Sequence, residues 1–195
     1  MAIEFPEGAT PLDADEMEGL KFPHIATRSE LDQLEQQNIQ EGYRWLDRQR
    51  KYKDFLSEEF LLEMHRQFFG GVWDWAGSFR RSDKNIGVDH LQIGVTLRDL
   101  LNDVSYWVEH GTYSREEFAA RFHHRLVKIH PFPNGNGRHA RILTDVILEK
   151  VLGVPPIHWD SGAMGTDGEH RQAYIQALRA ADNNDYRPLI AFVSK

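Results

Sequence analysis

The chain has 195 residues, of which 41% are hydrophobic and 27% charged, and its formal net charge is −7 at pH 7. A chain of this size and composition can bury the core of one globular domain without cross-links. The acidic balance argues against a nucleic-acid-binding surface, and the lack of cysteine excludes disulfides and thiolate chemistry.

The first predicted element is an N-terminal arm. Residues 1–26 are rich in proline, glycine and acidic residues, which predicts an extended segment before a single domain at 27–195. The arm has no basic region followed by an apolar stretch, so no signal peptide is predicted, and no run of the chain is long enough to span a membrane. We therefore expect a cytoplasmic protein without a membrane partner.

Two helices are predicted next, from apolar residues at helical spacing. The first is expected at 27–50, ahead of a core at 51–193, and places Leu31, Leu34 and Leu46 on one side. In the core, Ser57 can cap a short helix that ends at a pair of glycines.

The middle of the core contains one exception to helical patterning. Residues 79–95 mix β-branched residues with Asp, Asn and Gly, which favours a short β-hairpin. A helix is expected over 96–110, followed by another that is capped by Ser114 and Glu117 in a capping box. The second should end at His130, because a following proline disfavours helical geometry.

The remaining patterns predict helices from about residue 137 to 152, from 169 to 182, and at a short segment near Pro188. The predicted fold class is therefore all-α, a helical bundle with one short β-hairpin.

The segment "HPFPNGNGRHAR" places a titratable ring, a glycine-rich turn and two arginines between two predicted helices. The first N–H groups of a helix lack internal partners and form an anion site, and Gly135 and Gly137 let the backbone approach a ligand. Arg138 and Arg141 are three residues apart, so they share a helix face and can bind two phosphates. With His130 as proton acceptor, the pattern predicts transfer of a phosphate-linked group from a nucleotide to a nucleophile.

This segment resembles the Fic/Doc family signature, H-x-F-x-[D/E]-G-N-G-R-x-x-R, at His130, Phe132, Gly135, Asn136, Gly137, Arg138 and Arg141. "WDWAGSFRRSDKNIGV" is similar to the family segment that leads into its flap hairpin, and "RQAYIQALRAADNNDYRPLIAFV" is similar to its C-terminal helices. The likeness covers about residues 40 to 193 and implies the Fic fold. "GATPLDADEMEGL" and "SELDQLEQQNI" resemble a bacterial subgroup associated with mobile elements, mobile mystery protein B.

The resemblance implies protein adenylyltransfer, in which AMP moves from ATP to a Ser, Thr or Tyr hydroxyl of a target protein. His130 would deprotonate that hydroxyl, and the nest at 135–137 would hold the phosphates. Asn136 would orient the α-phosphate, while Arg138 and Arg141 would bind the β- and γ-phosphates of the leaving pyrophosphate.

The resemblance also implies a flap that docks the target by strand-like pairing. Its residues are Lys84, Asn85, Ile86, Gly87 and Val88. Tyr174 and Leu178 are candidates for the adenine side of the nucleotide.

Position 134 departs from the family pattern, because Asn134 stands where a carboxylate usually holds Mg²⁺. Magnesium prefers charged oxygen ligands, so this amide would bind Mg²⁺ or Mn²⁺ weakly and slow the transfer. Asp74, Asp83 or Asp89 can supply a ligand instead. The imidazoles of His90, His123, His124 and His139 lack zinc-site spacing, so we expect them to be structural or solvated.

Many Fic proteins carry an inhibitory helix with the pattern [S/T]-x-x-x-E-[G/N], whose Glu pairs with the second signature arginine. Here "QNIQEG" matches at Glu41 and Gly42, but Gln37 occupies the first position. Glu41 is therefore a candidate inhibitory residue, or else a solvated charge on an amphipathic helix.

Two alternative functions fit the same residues. The transferred group can be UMP, phosphocholine or phosphate, or the chain can be a nucleotide-binding regulator or toxin-like partner of a mobile element with little turnover. A small protein from the same mobile element is a candidate regulatory partner. The intact His130 favours a catalytic role over pure binding.

Overall fold

A computed structural model describes residues 14–25, 27–49, 55–159 and 168–194. These residues form the helices α1 (Ala14–Met17), α2 (Arg28–Arg48), α3 (Glu58–Phe69), α4 (Ile93–His110), α5 (Arg115–Ile129), α6 (Asn136–Lys150), α7 (Gly168–Asp182) and α8 (Arg187–Val193), with a 3₁₀ turn at His90–Gln92. The predicted all-α class is confirmed. Among the described helices, none combines the length and apolar character needed to cross a bilayer.

Helix α5 lies at the centre of the bundle, where it packs against α4, α6 and α8. Its apolar side, with Phe118, Phe122 and Leu126, is buried. Burying a large apolar side chain contributes about 1.5–3 kcal/mol relative to leaving it exposed, so this face holds α5 firmly in the core. The segment that follows α5 consequently starts from a rigid position.

Local capping determines where several helices begin and end. The Ser57 hydroxyl accepts a hydrogen bond from the Phe60 N–H, as predicted for the start of α3. The Ser114 hydroxyl likewise accepts from the Glu117 N–H, but the Glu117 carboxylate binds Arg121 and does not complete a capping box. Helix α5 ends at the residue before His130, again as predicted.

The described part of the N-terminal arm is folded rather than extended. Helix α1 makes one turn, and the Glu16 carbonyl accepts a hydrogen bond from the indole of Trp75 at 2.9 Å. An isolated antiparallel bridge joins Leu20 to Trp73. These contacts attach the arm to the loop after α3, which local composition did not predict. Residues 1–13 of the predicted arm lie outside the described residues.

The predicted hairpin at 79–95 is wrong. Residues 79–89 form an irregular loop, and α4 already begins at Ile93. The backbone of this loop bonds to the segment after α5, since the Arg80 N–H donates to the Pro131 carbonyl at 2.9 Å. Its hydrogen-bond partners therefore come from another part of the chain and not from a second strand.

Helix α2 packs closely on α3, which brings its buried face near the start of α6. A Cβ added at Gly42 would lie 2.6 Å from the ring of Phe68, so only glycine allows this approach. The Asn38 amide bridges the two helices, accepting from the Gly71 N–H at 2.8 Å and donating to the Gln67 carbonyl at 3.1 Å.

Candidate active site

His130 caps the C-terminus of α5 in a left-handed conformation, with φ 54° and ψ 59°. Its side chain is buried, and burial is the main cause that lowers its pKa to about 4; the charges of Arg80 and Lys84 act in the same direction. The imidazole is therefore neutral near pH 7, the state in which it can accept a proton.

The turn after His130 is held by buried polar groups. The Asn136 side chain accepts from the Phe132 N–H at 2.9 Å and donates to the Phe132 carbonyl at 2.8 Å. His65 stacks on the Phe132 ring, with 3.5 Å between centroids. Because His65 Nδ1 accepts from the Gly77 N–H, its Nε2 carries the proton and donates to the Asn134 carbonyl at 3.1 Å.

The start of α6 has the backbone geometry that the predicted phosphate cradle requires. Gly135 has φ 77°, and a Cβ there would lie 2.8 Å from the Phe69 ring. The first bond of α6 runs from the His139 N–H to the Gly135 carbonyl, so the amides of 136–138 have no partner within the helix. A Cβ at Gly137 would meet nothing nearer than Arg141 Nη1 at 3.8 Å, so the space beside its Cα is open.

The placement of Asn136 refines its predicted role. Both polar groups of its side chain bond to the backbone of Phe132, so the side chain shapes the turn. Contact with the α-phosphate stays a prediction for its backbone N–H.

Arg138 is engaged by a buried acid of α2. Its Nη1 lies 2.7 Å from Glu35 Oε2, and the other carboxylate oxygen accepts from the Trp73 indole at 2.9 Å. The Arg138 guanidinium also lies 4.9 Å above the centroid of the Phe69 ring. Glu35 therefore fixes the guanidinium of the first signature arginine against α2.

Arg141 lies one turn further along α6, beside Tyr174 of α7. Its guanidinium carbon is 6.0 Å from the centroid of the tyrosine ring. The Tyr174 hydroxyl is hydrogen-bonded to His123 Nε2 at 2.7 Å, and burial raises the pKa of Tyr174. This buried placement favours a role in holding Arg141 over contact with adenine. Leu178, four residues later, is partly buried against the core.

The flap residues, 84–88, lie beside His130. A Cβ at Gly87 would lie 2.8 Å from the Cβ of His130, and the Val88 N–H donates to the Ile129 carbonyl at 3.4 Å. Lys84 is turned inward: its side chain is 3% exposed and forms an ion pair with Glu16 of α1. Asn85 and Ile86 are exposed, so the open part of the flap is its tip.

Asn134 fits a divalent cation poorly. Its side-chain oxygen accepts from the Gly135 N–H at 2.5 Å, and it supplies an amide where magnesium favours a carboxylate. Asp83 and Asp89 form a cluster with His90, in which one ligand atom of each residue lies within 4.8 Å of those of the other two. Asp74 is 3.5 Å from the ammonium of Lys21. We assign no reaction step to a protein-bound metal.

The other histidines have structural contacts. His139 Nε2 donates to the Leu61 carbonyl at 3.1 Å, and burial lowers the pKa of both His139 and His123 to about 3. His124 bonds to Tyr186 and Asp182, each at 3.0 Å. His90 bonds to Asp83.

Glu41, the candidate inhibitory residue, is exposed on α2, whereas Glu35 of the same helix reaches the signature. Sequence reasoning missed Glu35, Arg80 and His65. A signal existed for Glu35, because it follows Leu31 by four residues and so shares its buried face.

The described residues thus form an all-α domain in which a buried, neutral histidine precedes a helix N-terminus that carries two arginines. Residues 55–148 match the family model described as the Fic/DOC family. This segment is a Fic/DOC-family domain.

Relatives with known names and structures agree with this assignment. The protein adenylyltransferase Fic of Aedes aegypti is 33% identical over 146 residues, which cover 72% of this chain and 28% of that protein. Fic-1 of C. elegans superposes with a TM-score of 0.65 at 27% identity, over 91% of this chain and 51% of its own. BepC of Bartonella tribocorum, solved with bound AMPPNP, shares the fold at 18% identity, with a TM-score of 0.68 over 97% and 93% of the two chains. The chain thus spans under a third of the curated insect relative.

Proposed function

We propose that this chain is a protein adenylyltransferase, which moves AMP from ATP to a hydroxyl side chain of a target protein. The observation that carries the proposal is that the neutral His130 at the end of α5 is joined by one short turn to the backbone amides at the start of α6. The similarity to proteins named protein adenylyltransferase supports the same activity.

In the proposed reaction, the hydroxyl oxygen of the target attacks the α-phosphorus of ATP. Its proton passes to the neutral imidazole of His130 as the new P–O bond forms, and the bond from phosphorus to the pyrophosphate oxygen breaks. The amides at the start of α6 would stabilise the charge that develops on the α-phosphate. Arg138 and Arg141 would bind the leaving pyrophosphate.

The remaining parts of the substrates are assigned by their position. The exposed tip of the flap would pair with the target segment that carries the Ser, Thr or Tyr hydroxyl. Leu178 stays a candidate for the adenine side. Mg²⁺ or Mn²⁺ would be held mainly by the phosphates of ATP, because Asn134 offers only a neutral amide.

A second function, nucleotide-dependent regulation with little turnover, is favoured by one observation. Glu35 occupies Arg138, and a triphosphate has to displace this carboxylate before the cradle can bind it fully. A small regulatory protein that moves α2 would release the arginine.

The test uses ATP labelled at either the α- or the γ-phosphate, with wild type and His130→Ala. We expect protein-bound label from the α position only, and its loss in the variant. Label from the γ position would indicate phosphorylation, and UTP or CDP-choline as donors would reveal other groups. Nucleotide binding without any transfer would support the regulatory function instead.

A further inference from the structure

A buried guanidinium lies between the flap and His130. The side chain of Arg80, in the loop after α3, has 0% exposure, although arginine is almost never fully buried without partners. Its Nε donates to the His130 carbonyl at 2.7 Å and its Nη1 to the Ser82 carbonyl at 2.8 Å, while Nη2 donates to the Val88 carbonyl. Arg80 therefore joins the backbone of His130 to the backbone on both sides of the flap.

Backbone hydrogen bonds attach the same loop on either side of His130. The Arg80 N–H donates to the Pro131 carbonyl, and the Val88 N–H donates to the Ile129 carbonyl. The planar guanidinium has five N–H donors in a rigid fork, whereas a lysine ammonium offers three donors from one point. Three carbonyls around one buried guanidinium therefore specifically suit arginine, and the exposed Asp83 carboxylate lies 3.6 Å from Arg80 Nη1.

The conformation of His130 depends on its surroundings. A left-handed backbone at a residue other than glycine costs on the order of 1–3 kcal/mol and persists only where neighbouring groups hold it. The bond from Arg80 to the His130 carbonyl is one such contact. Gly87 allows it, because a Cβ at that position would lie 2.8 Å from Arg80 Nη2 and 2.8 Å from the His130 Cβ.

We infer that Arg80 is a positioning residue for the transfer: it holds the flap and the His130 backbone as one unit, so that a hydroxyl docked on the flap meets the imidazole. This inference rests on the proposed function, since it takes the flap as the target-docking segment. The three bonds of Arg80 go to main-chain carbonyls of the flap loop and His130, so we expect it to affect target transfer and not nucleotide binding.

The charge of Arg80 has a second effect that can be separated from its geometry. Burial is the largest cause of the low pKa of His130, and the positive charge of Arg80 is the second largest. The charge of Lys84 comes third, and Lys84 forms an ion pair with Glu16. Arg80→Lys keeps the charge but lacks the fork, whereas Arg80→Met lacks both. The two variants therefore distinguish position from charge.

The experiment compares both Arg80 variants with wild type, using the exposed neighbour Arg81 in Arg81→Lys as the matched control. We expect kcat for protein modification to fall on the order of 100-fold in both Arg80 variants, as for a misplacement of about 1 Å, with the Kd for ATP changed less than about threefold. The pKa of His130, measured by NMR titration, should rise in Arg80→Met and stay unchanged in Arg80→Lys. Hydrogen exchange should accelerate at both Val88 and His130.

A second variant guards against failure of the Arg80 variants to fold. Gly87→Ala perturbs the same contact from an exposed position and should lower kcat with Arg80 intact. The inference would be overturned if the hydrogen-exchange rate at His130 is unchanged in Arg80→Lys. It would also be overturned if the fall in kcat is matched by an equal rise in the Kd for ATP. If wild type transfers no label at all, the proposed function fails, while the exchange and pKa measurements still decide the role of Arg80.

Discussion

Replacing Glu35 by glutamine should release the first signature arginine for nucleotide. In Glu35→Gln the side-chain oxygen can still accept from the Trp73 indole, so the packing of α2 on the core is preserved. What changes is the charge, because the 2.7 Å ion pair to Arg138 is lost. In the variant, a phosphate that binds Arg138 no longer has to displace the Glu35 carboxylate.

The structure sets the size of this effect. The Glu35 side chain is 5% exposed and that of Arg138 is 30% exposed, so the pair lies between a surface and a buried ion pair. A charge-assisted hydrogen bond contributes about 1.5–3 kcal/mol, and partial solvent screening at Arg138 reduces this to about 1–2 kcal/mol. ATP should accordingly bind about 5- to 30-fold more tightly to Glu35→Gln.

Calorimetric titration with ATP and AMP measures this change. AMP lacks the β- and γ-phosphates, so its affinity should stay the same. Glu41→Gln is the matched control, because it removes the same charge from an exposed position of the same helix. Equal ATP affinities in Glu35→Gln and Glu41→Gln would refute the reasoning, as would equal gains for ATP and AMP.

Two substitutions and two pH series test separate parts of the protein. Asn134→Asp supplies the carboxylate that magnesium prefers, so initial transfer rates should rise and depend more steeply on Mg²⁺ concentration than in wild type. Tyr174→Phe removes the hydroxyl beside Arg141, and ATP affinity should fall by about 0.5–1.5 kcal/mol, or roughly 2- to 13-fold, without a change for AMP. Because the base must be neutral, the wild-type rate should be constant from pH 8 to about 6 and fall only toward the pKa of His130 near 4. Burial lowers the pKa of His123 from 6.5 to about 3, so its contribution to the free energy of unfolding is fully present above pH 6.5. That contribution should decrease as the pH falls toward 3, which thermal melts at each pH can follow.

Helix boundaries were predictable because they depend on near neighbours in the chain. The hydroxyl of Ser57 and the position of Pro131 act within four residues of the helix ends that they determine. The turn and the start of α6 were predictable for the same reason, since the imidazole, the glycines and both arginines lie within one short segment.

The flap could not be predicted in this way. Its sequence suits a hairpin, but the atoms that bond to its backbone belong to residues 129–131 and to the buried guanidinium of Arg80, which is separated by 50 residues from His130. Local sequence propensity carries no information about partners that are distant in the chain. The position of a charged residue in a polar segment also does not indicate that its side chain will be buried.

Two kinds of sequence evidence point to different acids of α2. A short motif pointed to Glu41, whereas helical spacing from Leu31 through Asn38 and Gly42 points to Glu35, and the structure buries the residues on that face. Helical spacing was the better guide to which acid contacts the signature, because packing decides which side chains reach another element; the inhibitory role of Glu41 stays a prediction.

The contact between Glu35 and Arg138 depends on groups outside the signature. Helix α2 approaches α3 closely at Gly42, where even the Cβ of alanine would lie 2.6 Å from the Phe68 ring. A single added methyl group there must displace the Phe68 ring or α2, and we expect a displacement of α2 to move the Glu35 carboxylate. A chain with an intact signature can thus differ from this one in activity, and the spacing of two helices, not the motif, would be the cause.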